Sequence, residues 1–133
     1  MVNDCLRIGL ANDASSLKRL SLLSYRELRG YSCPSYYKLC AISRAVGVLA
    51  ANKKSNRRGF TPRSPYALKP QLVSCYGFKV ENGLLKIPMG RRRYRDIPLT
   101  MHTLSVLSES GLRVRSFTLT ASTLSLTFSK EVR

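Results

Sequence analysis

Hydrophobic spacing changes character once along the chain. Leu17, Leu20, Tyr25 and Leu28 recur near helical spacing, with Lys18, Arg19, Arg26 and Arg29 between them, and Gly30 marks a stop. Asn12, Asp13 and Ser15 are the residue types that cap helix starts. A second helical pattern follows through Tyr36, Leu39, Cys40, Ile42, Val46 and Leu49, with Ser32 as a cap and Pro34 suited to a first turn. Ala41, Ala45, Ala50 and Ala51 fill the remaining positions. This segment is apolar most of the way round, which places it at the centre of a helical half. The stretch DCLRIGLA at 4–11 alternates weakly and reads as a short strand or an irregular lead-in.

Beyond residue 70 the spacing is that of strands. In QLVSCYGFKV (71–80), Leu72, Tyr76, Phe78 and Val80 share one face at period two, which predicts core positions for Tyr76 and Phe78. Asn82-Gly83 then separates this run from LLKI, the strongest short-range hairpin signal, because both central turn residues need positive φ. A second turn is marked by Met89-Gly90-Arg91-Arg92-Arg93 and leads into Tyr94–Leu99. Leu104 and Leu107 predict one short helix within 100–110, closed by Gly111. A last hairpin pairs Leu112–Thr120 with Thr123–Ser129 through Ala121-Ser122, with Leu124, Leu126 and Phe128 on its inner face. The expected class is α+β. A helical lobe with two main helices (1–70) precedes a β-rich domain (71–133), a small antiparallel OB-like barrel or half-barrel with one short helix.

Between these halves lies KKSNRRGFTPRSPYALK, residues 53–69. It carries Lys53, Lys54, Arg57, Arg58, Arg63 and Lys69 and no acid, and Pro62, Pro65 and Pro70 forbid a continuous helix through it. The expectation is an extended basic arm of the kind a polyanion grips. Net charge sharpens this. It is +16 over 133 residues, divided as +10 in residues 1–70 and +6 in residues 71–133. A field so one-sided opposes compaction and attracts phosphate. The hydrophobic fraction, 44%, is that of an ordinary globular protein.

The remaining composition excludes more than it suggests. The N-terminus has no secretory pattern, and no window approaches the ~20 apolar residues of a membrane span. Cysteines at 5, 33, 40 and 75 form no C-x-x-C pair, so free thiols in a reducing cytoplasm are expected, with no metal and no cofactor. His102 is the sole histidine and has no carboxylate nearby in sequence to orient it as a base. The acids Asp4, Asp13, Glu27, Glu81, Asp96, Glu109 and Glu131 are dispersed, unlike the converging carboxylates of a metal-dependent nuclease. No catalytic residue is assigned. Aromatics do sit beside basic stretches, at Tyr36, Tyr37, Phe60, Tyr66, Tyr76 and Tyr94. That interleaving suits phosphate neutralisation with base stacking. Core packing is the ordinary role of any one of them. Tyr94, beside Arg91, Arg92, Arg93 and Arg95, is the best stacking candidate.

The segments SYYKLCAISRAVGVLAANKKS (35–55), RGFTPRSPY (58–66), CYGFKVENGLLKIPMG (75–90) and VRSFTLTASTLSLTFSKEV (114–132) resemble the N-terminal half of archaeal TnpB proteins. These are the transposon-associated OrfB proteins related to compact CRISPR effector nucleases. The resemblance covers most of the chain, and its specificity lies in the order of the segments. It implies that residues 71–133 correspond to an OB-like wedge domain and the preceding helices to a recognition lobe, which together hold a transposon-derived guide RNA and adjacent DNA. The family continues into a RuvC-like nuclease domain with three acidic catalytic residues, whereas this chain stops at Arg133. The resemblance therefore implies binding without cleavage.

Two functional expectations stand side by side. One is noncatalytic binding of guide RNA or target DNA. The other is a regulatory or protein-interaction remnant, with self-association through an open sheet edge.

Overall fold

The computed structural model describes residues 1–60 and 64–130 and divides the chain into two compact units, Met1–Lys69 and Pro70–Arg133. The class is α+β, as the spacing predicts.

The first unit is helical: α1 (Val2–Ala11), α2 (Leu17–Ser24), a 3₁₀ turn (Glu27–Gly30) and α3 (Ser35–Arg57). Its core joins Cys5, Leu6 and Ile8 of α1, Leu20 of α2, Leu28 of the 3₁₀ turn, and Ile42, Ala45 and Leu49 of α3. The weak alternation at 4–11 thus belongs to a helix, not a strand. Leu6, Ile8 and Leu10 satisfy period two, but Leu10 is exposed while Cys5 is buried, and only helical geometry turns 5, 6 and 8 to one side.

Capping differs in detail as well. Ser16 caps α2 by accepting from the Arg19 N–H at 3.3 Å. Asn12 and Asp13 instead close α1. The Asn12 side-chain amide donates to the Ile8 carbonyl at 2.8 Å, and Asp13 turns the chain at φ +48°. Tyr31 donates to Asp4 at 2.5 Å, and this bond holds the Asp4 carboxyl below its usual range.

Helix α3 continues to Arg57, so Lys53, Lys54 and Arg57 are helical rather than part of an extended arm. Helix propensity explains the difference: nothing between Ala50 and Arg57 interrupts a helix. The first breaker is Gly59, at φ +84°.

The second unit holds two three-stranded antiparallel sheets, ordered β1-β5-β6 and β2-β3-β4. The strands are β1 (Gln71–Ser74), β2 (Lys79–Glu81), β3 (Leu84–Gly90), β4 (Arg93–Pro98), β5 (Leu112–Thr120) and β6 (Leu124–Lys130), with α4 (Met101–Leu107) between β4 and β5. Among the described residues no ladder closes the two sheets into one barrel. The run 71–80 is split because the buried Ser74 hydroxyl engages Tyr76. It donates to the Tyr76 carbonyl at 3.0 Å and accepts from its N–H at 3.2 Å. Gly77 follows at φ +76°, and the chain leaves one sheet to enter the other. Tyr76 is therefore 62% exposed rather than a core residue. Phe78 stays half-buried and meets fully buried Phe117 of β5 edge-to-face at 5.4 Å, linking the sheets through side chains. Leu85 and Ile87 of β3 are also buried. Thr100 caps α4, accepting from the Thr103 N–H at 3.2 Å.

Packing is close where α1 meets α3. A Cβ on Gly9 would stand 2.3 Å from Leu49 Cδ1 and 2.9 Å from the Ala14 carbonyl oxygen. Leu49 has rotamers to move into; the Ala14 backbone does not. Gly9→Ala is expected to destabilise the helical unit by about 1–3 kcal/mol, the usual cost of overpacking. Urea unfolding followed by far-UV dichroism measures it, and a stability equal to the parent's would show that α1 and α3 are not held this closely.

Candidate nucleic-acid interface

The basic residues expected to bind a polyanion fall in two places, one in each unit. In the helical unit, Lys53, Lys54, Arg57 and Arg58 are all exposed on the end of α3 and its cap. Cations at a helix C-terminus complement the negative end of the helix dipole, so their own fold tolerates this crowding. From Leu28 to Val80 the chain has no Asp or Glu. Among the described residues the side-chain ion pairs are Arg7–Glu27, Lys86–Glu81 and Lys130–Glu109, and none involves this cluster. Lys69 is exposed at the far end of the connecting segment. Arg63 lies outside the described residues.

The connecting segment is anchored at both ends. The Phe60 N–H donates to the Ser55 carbonyl and the Gly59 N–H to the Asn56 carbonyl, each at 3.1 Å. This pair of backbone bonds around a left-handed glycine is the Schellman arrangement. At the other end the Asn3 side chain of α1 binds both backbone groups of Ala67, accepting from its N–H at 2.7 Å and donating to its carbonyl at 3.0 Å. Phe60 and Tyr66, just inside these anchors, are 66% and 69% exposed. Sequence reasoning noted both rings but ranked neither. The signal that would have found Phe60 is Arg-Arg-Gly-Phe itself, a helix end with glycine just past the cap.

In the second unit the cluster occupies the β3–β4 hairpin. The ladder pairs Pro88 with Tyr94 and Gly90 with Arg93, leaving Arg91-Arg92 as a two-residue turn. Both residues have positive φ, +26° and +61°. The β2–β3 hairpin uses the same turn class with Asn82 at +51° and Gly83 at +75°, residues that accept this backbone readily. The second hairpin places arginine where glycine or asparagine is favoured, so its turn chemistry and its backbone disagree. Arg91, Arg92, Arg93 and Arg95 are all exposed and have no ion pair among the described residues. Tyr94 is 46% exposed, and the Lys79 ammonium sits over its ring, 5.8 Å from the centroid. A base stacking on that face would have to displace Lys79, which weakens the case for Tyr94 as a stacking residue.

A third feature is apolar. Between α4 and β6 lies a groove of about 180 Å³, with Leu99, Val106 and Leu107 on one side and Leu124, Leu126 and Phe128 on the other. His102 is the titratable group among its lining residues. Among the described residues no group of three or more His, Cys, Asp or Glu side chains is placed to hold a metal ion. The four cysteines are unbridged, and burial pushes the Cys5 thiol up. No described helix is long and apolar enough to cross a membrane. No protein-family model, curated protein or solved structure matches the chain.

The mismatch at the second hairpin has a measurable consequence. Left-handed backbone costs roughly 1–2 kcal/mol per ordinary residue. Replacing Arg91-Arg92 by Asn-Gly is therefore expected to raise stability by about 1–2 kcal/mol. Chemical denaturation checks this, and an unchanged or lowered midpoint would show that the turn is not strained.

Proposed function

We propose that this chain binds nucleic acid without cleaving it, holding guide RNA or target DNA in the cytoplasm as a TnpB-like protein would. The observation that carries the reading is the β3–β4 turn, where two arginines occupy positive-φ positions beside two further exposed arginines. Strain of this kind persists where the side chains are needed in place. Guanidinium groups suit phosphate because their planar donors match its oxygens. The acid-free end of α3 is a second cluster of the same chemistry. The order of the TnpB-like segments adds the guide-RNA part of the proposal, and it rests on that resemblance alone.

Salt dependence tests the proposal. Each neutralised phosphate contributes a slope of roughly −0.9 on duplex DNA and about −0.7 on single strands in log affinity against log salt. Replacing Arg57 and Arg58 together by Ala should flatten the slope by about one to two units and weaken all sequences alike. Replacing Arg92 and Arg93 should do the same. Anisotropy titrations across salt concentrations measure this. Absence of binding by the parent, or pair variants that bind like the parent at every salt, would overturn it.

A second reading, a protein-interaction remnant, draws on the edge of the first sheet. Strand β6 pairs with β5 alone among the described residues, and its one charge, Lys130, is at its last position, Ser116–Ser129 having none. Natural edge strands usually carry a charge or a proline against unwanted pairing. The expected result is self-association that grows as salt screens the +16 charge. Thr127→Lys should suppress it. Light scattering at rising concentration checks this, and a parent that stays monomeric throughout would rule the reading out.

A further inference from the structure

We infer that the helical unit recognises single-stranded nucleic acid, with Phe60 stacking on an unpaired base while the end of α3 grips the flanking phosphates. The inference rests on the nucleic-acid reading above and deepens it by naming the ligand class. Its starting point is an exposed ring. In a Schellman cap, the residue after the glycine commonly packs its hydrophobic side chain back on the last helical turn. Here that residue is Phe60, and the positions it would pack on are Ser55 and Lys54. Neither is an apolar residue, and Phe60 remains 66% exposed. Its backbone is nevertheless fixed, through the bond to Ser55 and through Gly59 at φ +84°. The result is an aromatic ring held in water on a rigid support, an arrangement that lowers the entropic cost of binding.

The surroundings select the ligand. Lys53, Lys54, Arg57 and Arg58 lie within seven residues of Phe60 on the same helix end, all exposed and free of ion pairs among the described residues. An apolar partner protein would gain one ring and meet four desolvated cations. A duplex would satisfy the cations and leave the ring unused, because its bases are stacked on one another. A single strand satisfies both, with phosphates on the cations and a splayed base on the ring. Tyr66, 69% exposed beside the Asn3–Ala67 clasp, is a second ring of the same kind in this segment. The salt term is shared with duplex binding; the stacking term is not.

The chain contains no tryptophan, so Phe60→Trp introduces a single indole reporter at the ring position. The full-length chain is titrated with labelled 20-nucleotide single-stranded RNA, the same sequence as single-stranded DNA, and the corresponding duplex. Phe60→Ala is expected to weaken single-strand binding by roughly 5- to 150-fold, the range for loss of one stacked base. Duplex binding should change less than twofold, and the salt slope should be unaltered because stacking releases no counterions. Phe60→Trp should retain single-strand affinity, and its fluorescence should be quenched by single strands and not by duplex. Parent-like dichroism and melting of both variants establish that folding is intact, as expected for an exposed ring.

If the parent binds with a steep salt slope but Phe60→Ala binds single strands equally well, the inference fails and the nucleic-acid reading stands. Equal losses on single strand and duplex, or tryptophan fluorescence that ignores single strands, also overturn it. A parent that binds no nucleic acid, or binds only anionic vesicles or acidic peptide, overturns both.

Discussion

Gly59 takes up φ +84°, and two backbone bonds run from it and Phe60 back to the last turn of α3. The geometry of the basic site in the helical unit follows from this stop. Because the helix reaches Arg57, its cations are spaced on a rigid rod at 1.5 Å rise per residue rather than along a pliable extended strand. Because the stop is a left-handed cap, the chain turns sharply at a defined residue and presents Phe60 immediately beside those cations. The Asn3 clasp on Ala67 then returns the segment to α1. A stretch read in sequence as an extended basic arm is helical as far as Arg57 and fastened at Phe60 and at Ala67.

The core beneath this surface is small and depends on close approach. Gly9 lets α1 come within side-chain contact of Leu49 on α3, and Cys5, Leu6 and Ile8 fill the space around it. Large apolar side chains of this unit, Leu22 and Leu68 among them, stay exposed, so apolar burial is not what fastens its loops. That is consistent with the clasp and caps being made by polar side chains: Asn3, Asn12, Ser16 and the Tyr31–Asp4 pair.

The β unit shows the same economy with different means. One buried hydroxyl, Ser74, ends a strand and redirects the chain, and one aromatic pair, Phe78 with Phe117, joins two sheets that share no ladder among the described residues. Its β2–β3 and β3–β4 hairpins both turn through two positive-φ residues and make opposite residue choices. Asn82-Gly83 agrees with its backbone, and Arg91-Arg92 does not. Local disagreement of this sort accumulates where side chains serve something other than folding.

Sequence spacing alone determined the α+β class, the Asn82-Gly83 hairpin and the short helix before Gly111; of the face read as inner on β6, Leu124 and Leu126 are half-buried and Phe128 is exposed. Each is a local pattern: a period of 3.6 or 2, or a turn whose residues must accept positive φ. It also located the basic clusters, since charge is read directly from composition. What it missed depended on contacts distant in sequence. Whether 4–11 is helix or strand was decided by α3, which buries Cys5 beside Leu6 and Ile8. The break within 71–80 and the exposure of Tyr76 follow from the buried Ser74 hydroxyl and from β5 and β3 taking the two parts into different sheets. Likewise, the Lys79 ammonium lies over the ring of Tyr94, whereas Phe60 is 66% exposed. Period and composition state which side chains are aromatic or cationic; only tertiary packing decides which of their faces remain open to a ligand.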